Sequence, residues 1–337
     1  MMLFPVRAHR GEFPPAKLRD ETTIKNARPL KHCRMKINIF QLHYDQASKN
    51  MLDPGFIPLE IAGNPRPDWR EYWAIRQYFL DTTLEEHDYY GFLSPLFKSK
   101  TCLDSGRVFS FMKENPGGDV YTFSPTIQDA ACYLNVFEHG NRCHPGMIPV
   151  MKEFLDVLGI NVDFTTFIND FRSAVFCNYV IAKPVFWKKW FVITERLFDI
   201  AEKKGGPLAQ KLNGITEYHK APLAMKVFIV ERIASLLLGL LPDLQVYDFD
   251  IKSMPWQENT NYFAYRKEMA LLNALKVAYL DSWDAEYLEI YFSLRNKVLM
   301  HCDTTFDHEP YVNFFEIGAG MDPARLGKNN PALRQSP

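Results

Sequence analysis

The sequence has few cysteines and no pattern that would join them into a site. Its six cysteines are far apart, and no Cys-x-x-Cys pair occurs, which argues against a zinc knuckle or a thioredoxin-type redox site. No stretch has the features of a secretory signal, so reduced thiols and a cytoplasmic location are expected. Gly-x-Gly-x-x-Gly, the Walker-type phosphate loop, His-Glu-x-x-His and Gly-x-Ser-x-Gly are also missing. No short motif therefore indicates a catalytic class.

A strong charge of either sign is missing too. The net charge is −1 over 337 residues, which argues against nonspecific nucleic-acid binding, because such binding depends on neutralising phosphates. Apolar residues, in contrast, make up 47% of the chain and aromatic residues 14%, enough for one large or two small domains with a real core.

The most apolar run, at 221–241, is about as long as a membrane span. Lys226, Glu231 and Arg232 interrupt it on different sides of a helix. We interpret the run as a buried core helix in which Glu231 and Arg232 form structural pairs. The alternative is contact with a membrane surface.

Strands and helices are predicted to alternate along residues 35–250. Apolar runs predict strands at 36–43, 57–61, 89–93, 119–123, 175–182 and 244–249. Helical periodicity and end signals predict helices at 69–80, 104–114, 126–137, 148–158, 184–204, 221–241, 262–280 and 285–299. This order is typical of an α/β fold with a mainly parallel sheet flanked by helices, followed by a helical C-terminal portion at 251–317. Segments 1–34 and 318–337 have the composition of a poorly ordered N-terminal extension and a flexible tail.

The stretch from Asp68 to Lys100 is the most informative part of the chain. Asp68 stands where the N-cap of a helix belongs. Arg76 falls within the apolar arc of that helix, so its guanidinium must find a ligand anion, a structural carboxylate or water. The strand at 89–93 then leads into a basic loop containing Lys98, at the kind of strand end where open α/β sheets bind ligands. The loop suits a phosphorylated ligand, although surface lysines are common.

Acid–base candidates lie in the next part of the chain. A polar loop at 138–147 contains His139 and His144, Asp119 starts a predicted strand, and Asp129 lies in the helix after it. Each also has a structural interpretation, as a loop, strand-start or helix-surface residue. The sequence does not decide between the two roles.

Four longer segments follow one another in an order that carries a family resemblance. They are DWREYWAIRQYF at 68–79, YYGFLSPLFKSK at 89–100, CNYVIAKPVFWKKWF at 177–191 and FIVERIASLLL at 228–238. Over roughly residues 35–250 this order resembles bacterial polysaccharide-biosynthesis (capsule- or lipopolysaccharide-type) glycosyltransferases of the GT-A nucleotide-sugar type. Those enzymes have a Gly-Leu-Phe-His-Tyr-Arg-Arg-Tyr-like loop after the second segment's strand. This chain keeps the positive charge but has Ser94, Pro95, Lys98 and Lys100 there.

The resemblance implies a GT-A-like domain at 35–250 that transfers a sugar from a nucleotide-sugar donor to a glycan or lipid-linked acceptor. It implies a cytoplasmic enzyme of surface polysaccharide synthesis, with the inner membrane as a peripheral contact. The alternatives are a noncatalytic carbohydrate-binding or assembly protein of the same fold, and a different nucleotide-dependent transferase.

The resemblance also implies roles for individual residues. The diphosphate is expected to be neutralised by Arg76, Lys98 and Lys100. The rest of the donor pocket is expected to consist of His43, Tyr44, Tyr90, Ser94 and Asn178. Acid–base work on the acceptor is expected from His139, His144, Asp119 and Asp129. No cofactor or divalent metal is expected. Many enzymes of the GT-A type hold a metal with an Asp-x-Asp motif at the end of a central strand, but here that strand end has no carboxylate, and the Asp-x-Asp motif at 248–250 comes much later in the chain.

Overall fold

The residues that the structure describes form eight strands. A computed structural model describes residues 35–203, 205–218, 221–256 and 260–302. The strands are β1 (Ile37–His43), β2 (Ile57–Glu60), β3 (Tyr89–Leu93), β4 (Val120–Thr122), β5 (Val180–Ala182), β6 (Ile215–Tyr218), β7 (Ala221–Ala224) and β8 (Val246–Asp248). Strands β6 and β7 form a separate antiparallel pair, and the other six form the main sheet.

Helices connect and cover these strands. The α-helices are α1 (Gln46–Lys49), α2 (Glu71–Asp81), α3 (Phe97–Thr101), α4 (Ser105–Glu114), α5 (Ile127–Cys132), α6 (Val136–Cys143), α7 (Met147–Val157), α8 (Pro184–Glu202), α9 (Pro207–Leu212), α10 (Met225–Leu240), α11 (Thr260–Ala264), α12 (Arg266–Ser282) and α13 (Ala285–Cys302). Short 3-10 helices occur at Pro67–Trp69 and Ile251–Ser253.

The main sheet has the strand order β2-β1-β3-β5-β4-β8. β1 pairs in parallel with β2 and β3, and β4 pairs in parallel with β8. β5 lies between β3 and β4 and is antiparallel to both. The other strands therefore share one direction, and their carboxyl ends meet at one edge, which we call the carboxyl edge. The prediction of an α/β fold with a mainly parallel sheet is confirmed.

Strand β3 shows how both faces of the sheet are filled. Tyr90 and Phe92 pack in the larger hydrophobic cluster, which includes residues of α2, α8 and α10. Tyr89 and Leu93 pack on the other face with residues of α3 and α4. Gly91 lies between them, where a Cβ atom would come within 2.7 Å of a side-chain carbon of β5. A strand buried on both faces in this way has the continuous apolar sequence seen at 89–93.

The predicted start of α2 is wrong in detail. Asp68 lies in the 3-10 helix that precedes α2, and Arg70 occupies the N-cap position with a φ of 50° and no side-chain capping bond. The Asp68 carboxylate accepts instead from Lys226, with an Nζ–Oδ2 distance of 2.6 Å, and pairs with Arg66. Lys226 is buried, and an unpaired ammonium in the core would cost more free energy than a missing helix cap. The Asp68 carboxylate therefore pairs with Lys226 and does not cap α2.

Two predicted loops contain helices. The polar loop at 138–147 is largely the second half of α6, because Asn135 interrupts the predicted helix and caps a new one through the backbone N–H groups of Phe137 and Glu138. Likewise, the basic loop after β3 contains the short helix α3, which includes Lys98 and Lys100.

Two predicted apolar elements are shorter than expected. The run at 221–241 begins as strand β7, and helix α10 starts only at Met225. The run at 175–182 is a strand only over its last three residues, because Cys177 and Asn178 have φ values of 62° and 54°, outside the extended region. The prediction of a long amphipathic helix beginning at Pro184 is confirmed by α8.

Helices α11 to α13 confirm a helical C-terminal region over 260–302. The predicted extension at 1–34 and tail at 318–337 lie outside the described residues. Within the described ranges, no helix combines the length and apolar content needed to cross a membrane.

Candidate functional site

Charged and polar side chains from four segments meet at the carboxyl edge. α2 follows β2 and begins with Glu71, and α3 follows β3 and contributes Lys100. Cys177 and Tyr179 come just before β5, and Glu231 comes from α10. Electrostatic interactions connect these residues. We define the carboxyl-edge cluster as the five residues Glu71, Lys100, Cys177, Tyr179 and Glu231. The exit of parallel strands at this edge is where open α/β sheets bind ligands.

Close contacts hold the cluster together. Lys100 Nζ donates to Cys177 Sγ at 3.3 Å, and the hydroxyl oxygens of Tyr179 and Ser94 are 2.6 Å apart. Cys177 and Asn178 both have a left-handed backbone, which costs about 1–3 kcal/mol for a residue other than glycine. Such a backbone persists only where its surroundings fix it, so both side chains have a defined direction at this edge.

Glu71 has the most perturbed carboxylate at the carboxyl edge. Its side chain is partly exposed, so the carboxylate lies in a recess and not in the core. Burial, reinforced by the negative charge of Glu231, raises the pKa of Glu71 to about 7, although Lys100 and Arg70 act in the opposite direction. Near neutral pH this carboxylate is therefore present in both protonation states, as a general base or acid requires.

The other titratable groups of the cluster are not activated. Burial raises the pKa of Cys177, against the effect of Lys100, so the thiol stays protonated at neutral pH. Burial likewise raises the pKa of Tyr179 well above its ordinary value. Both side chains can donate hydrogen bonds to a ligand, but neither is a nucleophile.

Replacing Glu71 with Gln should change stability in a pH-dependent way. The pKa is raised from 4.5 to about 7, so between these values the folded chain keeps a proton that the unfolded chain releases. The contribution of Glu71 to stability therefore falls as pH rises through this window. We expect the melting temperature of Glu71→Gln, relative to wild type, to be higher at pH 8 than at pH 5. Thermal denaturation at both pH values measures this.

The matched control is Glu114→Gln, at an exposed position at the end of α4. It should change the melting temperature by the same small amount at pH 5 and pH 8. A Glu71→Gln effect that is equal at the two pH values would show that the carboxyl titrates normally.

A second polar group lies beside the cluster, between α5, α6 and α10. His139 Nε2 is 3.8 Å from Asp129 Oδ1, and the His139 ring is flanked edge-on by Tyr133 and Phe176. Burial and the charge of Arg232 lower the pKa of His139 to about 3. His139 is therefore neutral at pH 7 and a weaker base than Glu71.

His144 is separated from this acid–base chemistry by its packing. Its ring is buried and stacks on Phe228 with a centroid distance of 3.6 Å, and its Nδ1 is 3.5 Å from Thr216 Oγ1. These contacts fix the end of α6 against β6 and α10. The histidine pair of the sequence thus divides into one residue beside the cluster and one in a stacked contact.

Several predicted donor residues do lie along the carboxyl edge. His43 ends β1 and is buried, and Tyr44 follows it with an exposed side chain. Ser94 follows β3 and contacts Tyr179. Lys98 is exposed on α3 and exerts its charge on Asp53.

Three predicted site residues are held elsewhere. Arg76 is bound by Glu195 of α8, with Nε–Oε1 and NH2–Oε2 distances of 2.6 and 2.9 Å. Asp119 precedes β4 and accepts from Lys183 Nζ and the Gln245 backbone N–H at the opposite edge of the sheet. Tyr90, near the amino end of β3, accepts from the Glu85 backbone N–H through its hydroxyl. The structure does not bring these three residues together with the cluster.

Three buried polar atoms in this part of the fold have no described partner. They are Asn178 Oδ1, Thr126 Oγ1 and His139 Nδ1, none of which has a hydrogen-bond partner among the described residues. Thr126 resembles Asn178 in having a left-handed backbone, with a φ of 71°. Buried polar atoms are normally bonded, so these atoms mark positions suited to contacts with a polar ligand.

Glu71 was missed in the sequence analysis, and for Glu231 only the pairing with Arg232 was predicted there. Glu71 begins helix α2 at the carboxyl edge of the sheet, a position that favours ligand contact. Glu231 pairs with Arg232 as predicted, with an Oε2–NH1 distance of 2.9 Å. Its negative charge also acts on Glu71 and raises the pKa of that carboxyl. Its place in an apolar helix was the available signal.

Among the described residues, no three His, Cys, Asp or Glu side chains are grouped as a metal site. Comparison with protein-family models, curated proteins and solved structures finds no match to this chain. The function is therefore inferred from the site itself.

Proposed function

We propose that this protein is a glycosyltransferase of GT-A-like fold that transfers a sugar from a nucleotide-sugar donor to a hydroxyl of a glycan or lipid-linked acceptor. The observation that carries the proposal is Glu71, a carboxyl with a pKa of about 7 beside Lys100 at the carboxyl edge. The mainly parallel sheet and its strand order support it. We place the reaction in the cytoplasm, at the inner face of the membrane for a lipid-linked acceptor.

In the proposed reaction Glu71 acts on the acceptor. Its ionised carboxylate takes the proton of the acceptor hydroxyl while the hydroxyl oxygen forms a bond to the anomeric carbon of the donor sugar. The bond from that carbon to the diphosphate oxygen breaks, and the nucleoside diphosphate leaves with the electron pair. Direct displacement of this kind inverts the anomeric configuration. Glu231 keeps the pKa of Glu71 high enough for the proton transfer to be efficient near neutral pH.

Positive charge is needed where the diphosphate departs. Lys100 supplies it inside the cluster, and Lys98 supplies it from the exposed side of α3. Ser94 and Asn178 lie at the same edge of the sheet as these lysines and are suited to bind the polar groups of the donor, with His43 at the end of the neighbouring strand. Arg76 does not contribute to the donor site in this proposal, because its guanidinium is bound by Glu195.

Binding and turnover of nucleotide sugars test the proposal. A nucleoside diphosphate that binds only the folded chain should raise its melting temperature in proportion to the logarithm of its concentration. Release of nucleoside diphosphate from a nucleotide sugar, measured by a coupled assay, should accompany binding. Binding without release in the presence of candidate acceptors would favour a noncatalytic carbohydrate-binding protein. Absence of both would contradict the proposal.

Removing the charge of Lys100 should weaken donor binding. We expect Lys100→Met to lose about 1–3 kcal/mol of binding free energy for a nucleoside diphosphate, the range for a charge-assisted contact. Titration calorimetry measures the change. The control is Lys113→Met, at an exposed position in the last turn of α4, which should bind as wild type does. Equal affinities for Lys100→Met and wild type would remove Lys100 from the donor site.

Donor binding should also persist after treatment with EDTA, since lysines neutralise the diphosphate in this proposal. The same titration, repeated with EDTA and then with added magnesium or manganese, measures this. Loss of binding on chelation that either ion reverses would contradict the expectation. Asp248 and Asp250 would then be the first ligands to replace, since Asp248 ends β8 at the carboxyl edge.

A further inference from the structure

A second concave site lies beside the edge strand β8. It is a cavity of about 620 Å³ lined by the loop at 161–173, the end of α10 with the loop after it, and the end of α12. It shares no lining residue with the carboxyl-edge cluster. Its volume is within the range of about 300–1,000 Å³ that is typical of small-molecule sites.

The wall of this cavity is mainly apolar. Phe167, Leu240, Leu244 and Val246 contribute side chains to it from different segments. Phe167 packs directly on the backbone of α10 at Gly239, where a Cβ atom would lie 2.3 Å from the ring. The glycine therefore allows the loop to close against the helix and complete the wall. Such a wall binds apolar groups by removing them from water.

The polar part of the lining is acidic. Asp163, Asp170 and Asp281 are among the lining residues, and Arg172 is the only cationic residue that the described part of the chain contributes to the lining. Arg172 is already held by the buried Asp170, with an Nε–Oδ2 distance of 2.6 Å, and the charge of Asp281 also acts on it. The lining therefore has a net negative charge, with Asp281 exposed at the end of α12.

Trp283 adds an aromatic surface at the same end. It follows α12 with a φ of 59°, lines the cavity and packs edge-on against Tyr279. An indole face attracts cations, and the nearby carboxylate of Asp281 does the same. The two groups favour a positive head group over a negative one.

From these observations we propose that the cavity binds a hydrophobic small molecule that bears a protonated amine. The apolar part lies against Phe167, Leu240 and Leu244, and the ammonium lies between Asp281 and Trp283. Carboxylates and phosphates are disfavoured, because the net charge of the lining is negative and Arg172 is paired. This site is independent of the proposed glycosyltransferase activity.

Three probes with the same chain and different head groups test the proposal: octylamine, octanol and octanoate. Titration calorimetry with the full chain at pH 7, supported by tryptophan fluorescence, should show that octylamine binds at least tenfold more tightly than octanoate, with octanol between them. Asp281→Asn should lower the affinity for octylamine at least fivefold and leave that for octanol unchanged. Asp156→Asn, an exposed carboxylate on α7, is the control and should change neither affinity.

Leu244→Trp provides a second, steric test, because the larger side chain occupies the part of the cavity where the apolar chain is proposed to lie. With an unchanged circular-dichroism spectrum, this variant should bind octylamine at least tenfold more weakly. Undiminished binding by Leu244→Trp would place the amine elsewhere and overturn the proposal. It would also be overturned if octanoate bound as tightly as octylamine, or if the wild-type chain bound none of the three probes.

Discussion

Glu71→Gln is expected to lower turnover by about 10²–10⁴-fold, the contribution typical of a general base. The amide has nearly the same shape as the carboxylate but cannot accept the proton of the acceptor hydroxyl. Binding of a nucleoside diphosphate should change little, because Lys100 remains in place. Steady-state kinetics with a nucleotide sugar, together with calorimetry of the diphosphate, separate the two effects.

The pH dependence of turnover gives a second readout of the same residue. Burial raises the pKa of Glu71 to about 7, so wild-type activity should rise as pH increases through that value and the carboxyl loses its proton. Glu231→Gln removes a negative charge that raises this pKa and should shift the rise to lower pH. Glu114→Gln, at an exposed position, should leave the profile unchanged.

Two outcomes distinguish the general base from the wider proposal. Normal turnover in Glu71→Gln, with diphosphate binding intact, would assign proton transfer to another group and leave the glycosyltransferase proposal standing. Loss of diphosphate binding with turnover would move Glu71 to the donor side of the site.

The largest effect on stability is expected from Lys276→Met. Lys276 of α12 is fully buried, and its Nζ donates to the backbone carbonyls of Ala130, Tyr133 and Asn169. It therefore joins the C-terminal helices to α5 and to the loop after α7. Methionine fills similar space but leaves these buried acceptors without a donor. We expect the free energy of unfolding to fall by about 1–3 kcal/mol, the range for a buried acceptor that loses its partner, because removing the buried ammonium offsets part of the loss of three bonds.

Chemical denaturation at pH 7 measures this loss. Lys267→Met is the matched control, since Lys267 lies on the same helix and is exposed, and its effect should stay within about 0.5 kcal/mol. An equally small effect for Lys276→Met would show that the C-terminal helices are held mainly by apolar packing.

The sequence predicted those elements whose signals are local. The apolar run at 89–93, bounded by polar residues, predicted β3, and Pro184 followed by a helical apolar period predicted α8. Where the signal depended on distant residues, the predictions were wrong. Asp68 had the local features of an N-cap, but Lys226 of α10 takes its carboxylate. Local propensity was overridden there because an ammonium in the core needs a charged partner.

The residues of the candidate site were likewise predictable where the signal is local and missed where it depends on distant residues. The position of Ser94 and Lys100 at the carboxyl edge was predictable from the sequence, because both follow an apolar strand and the end of a strand determines the edge of the sheet. Glu71 and Glu231 are far apart in the chain, and only the packing of α10 against the 3-10 helix that precedes α2 sets their charges against each other. The raised pKa of Glu71 depends on that packing, because desolvation and like charge are properties of the assembled surroundings and not of the residue.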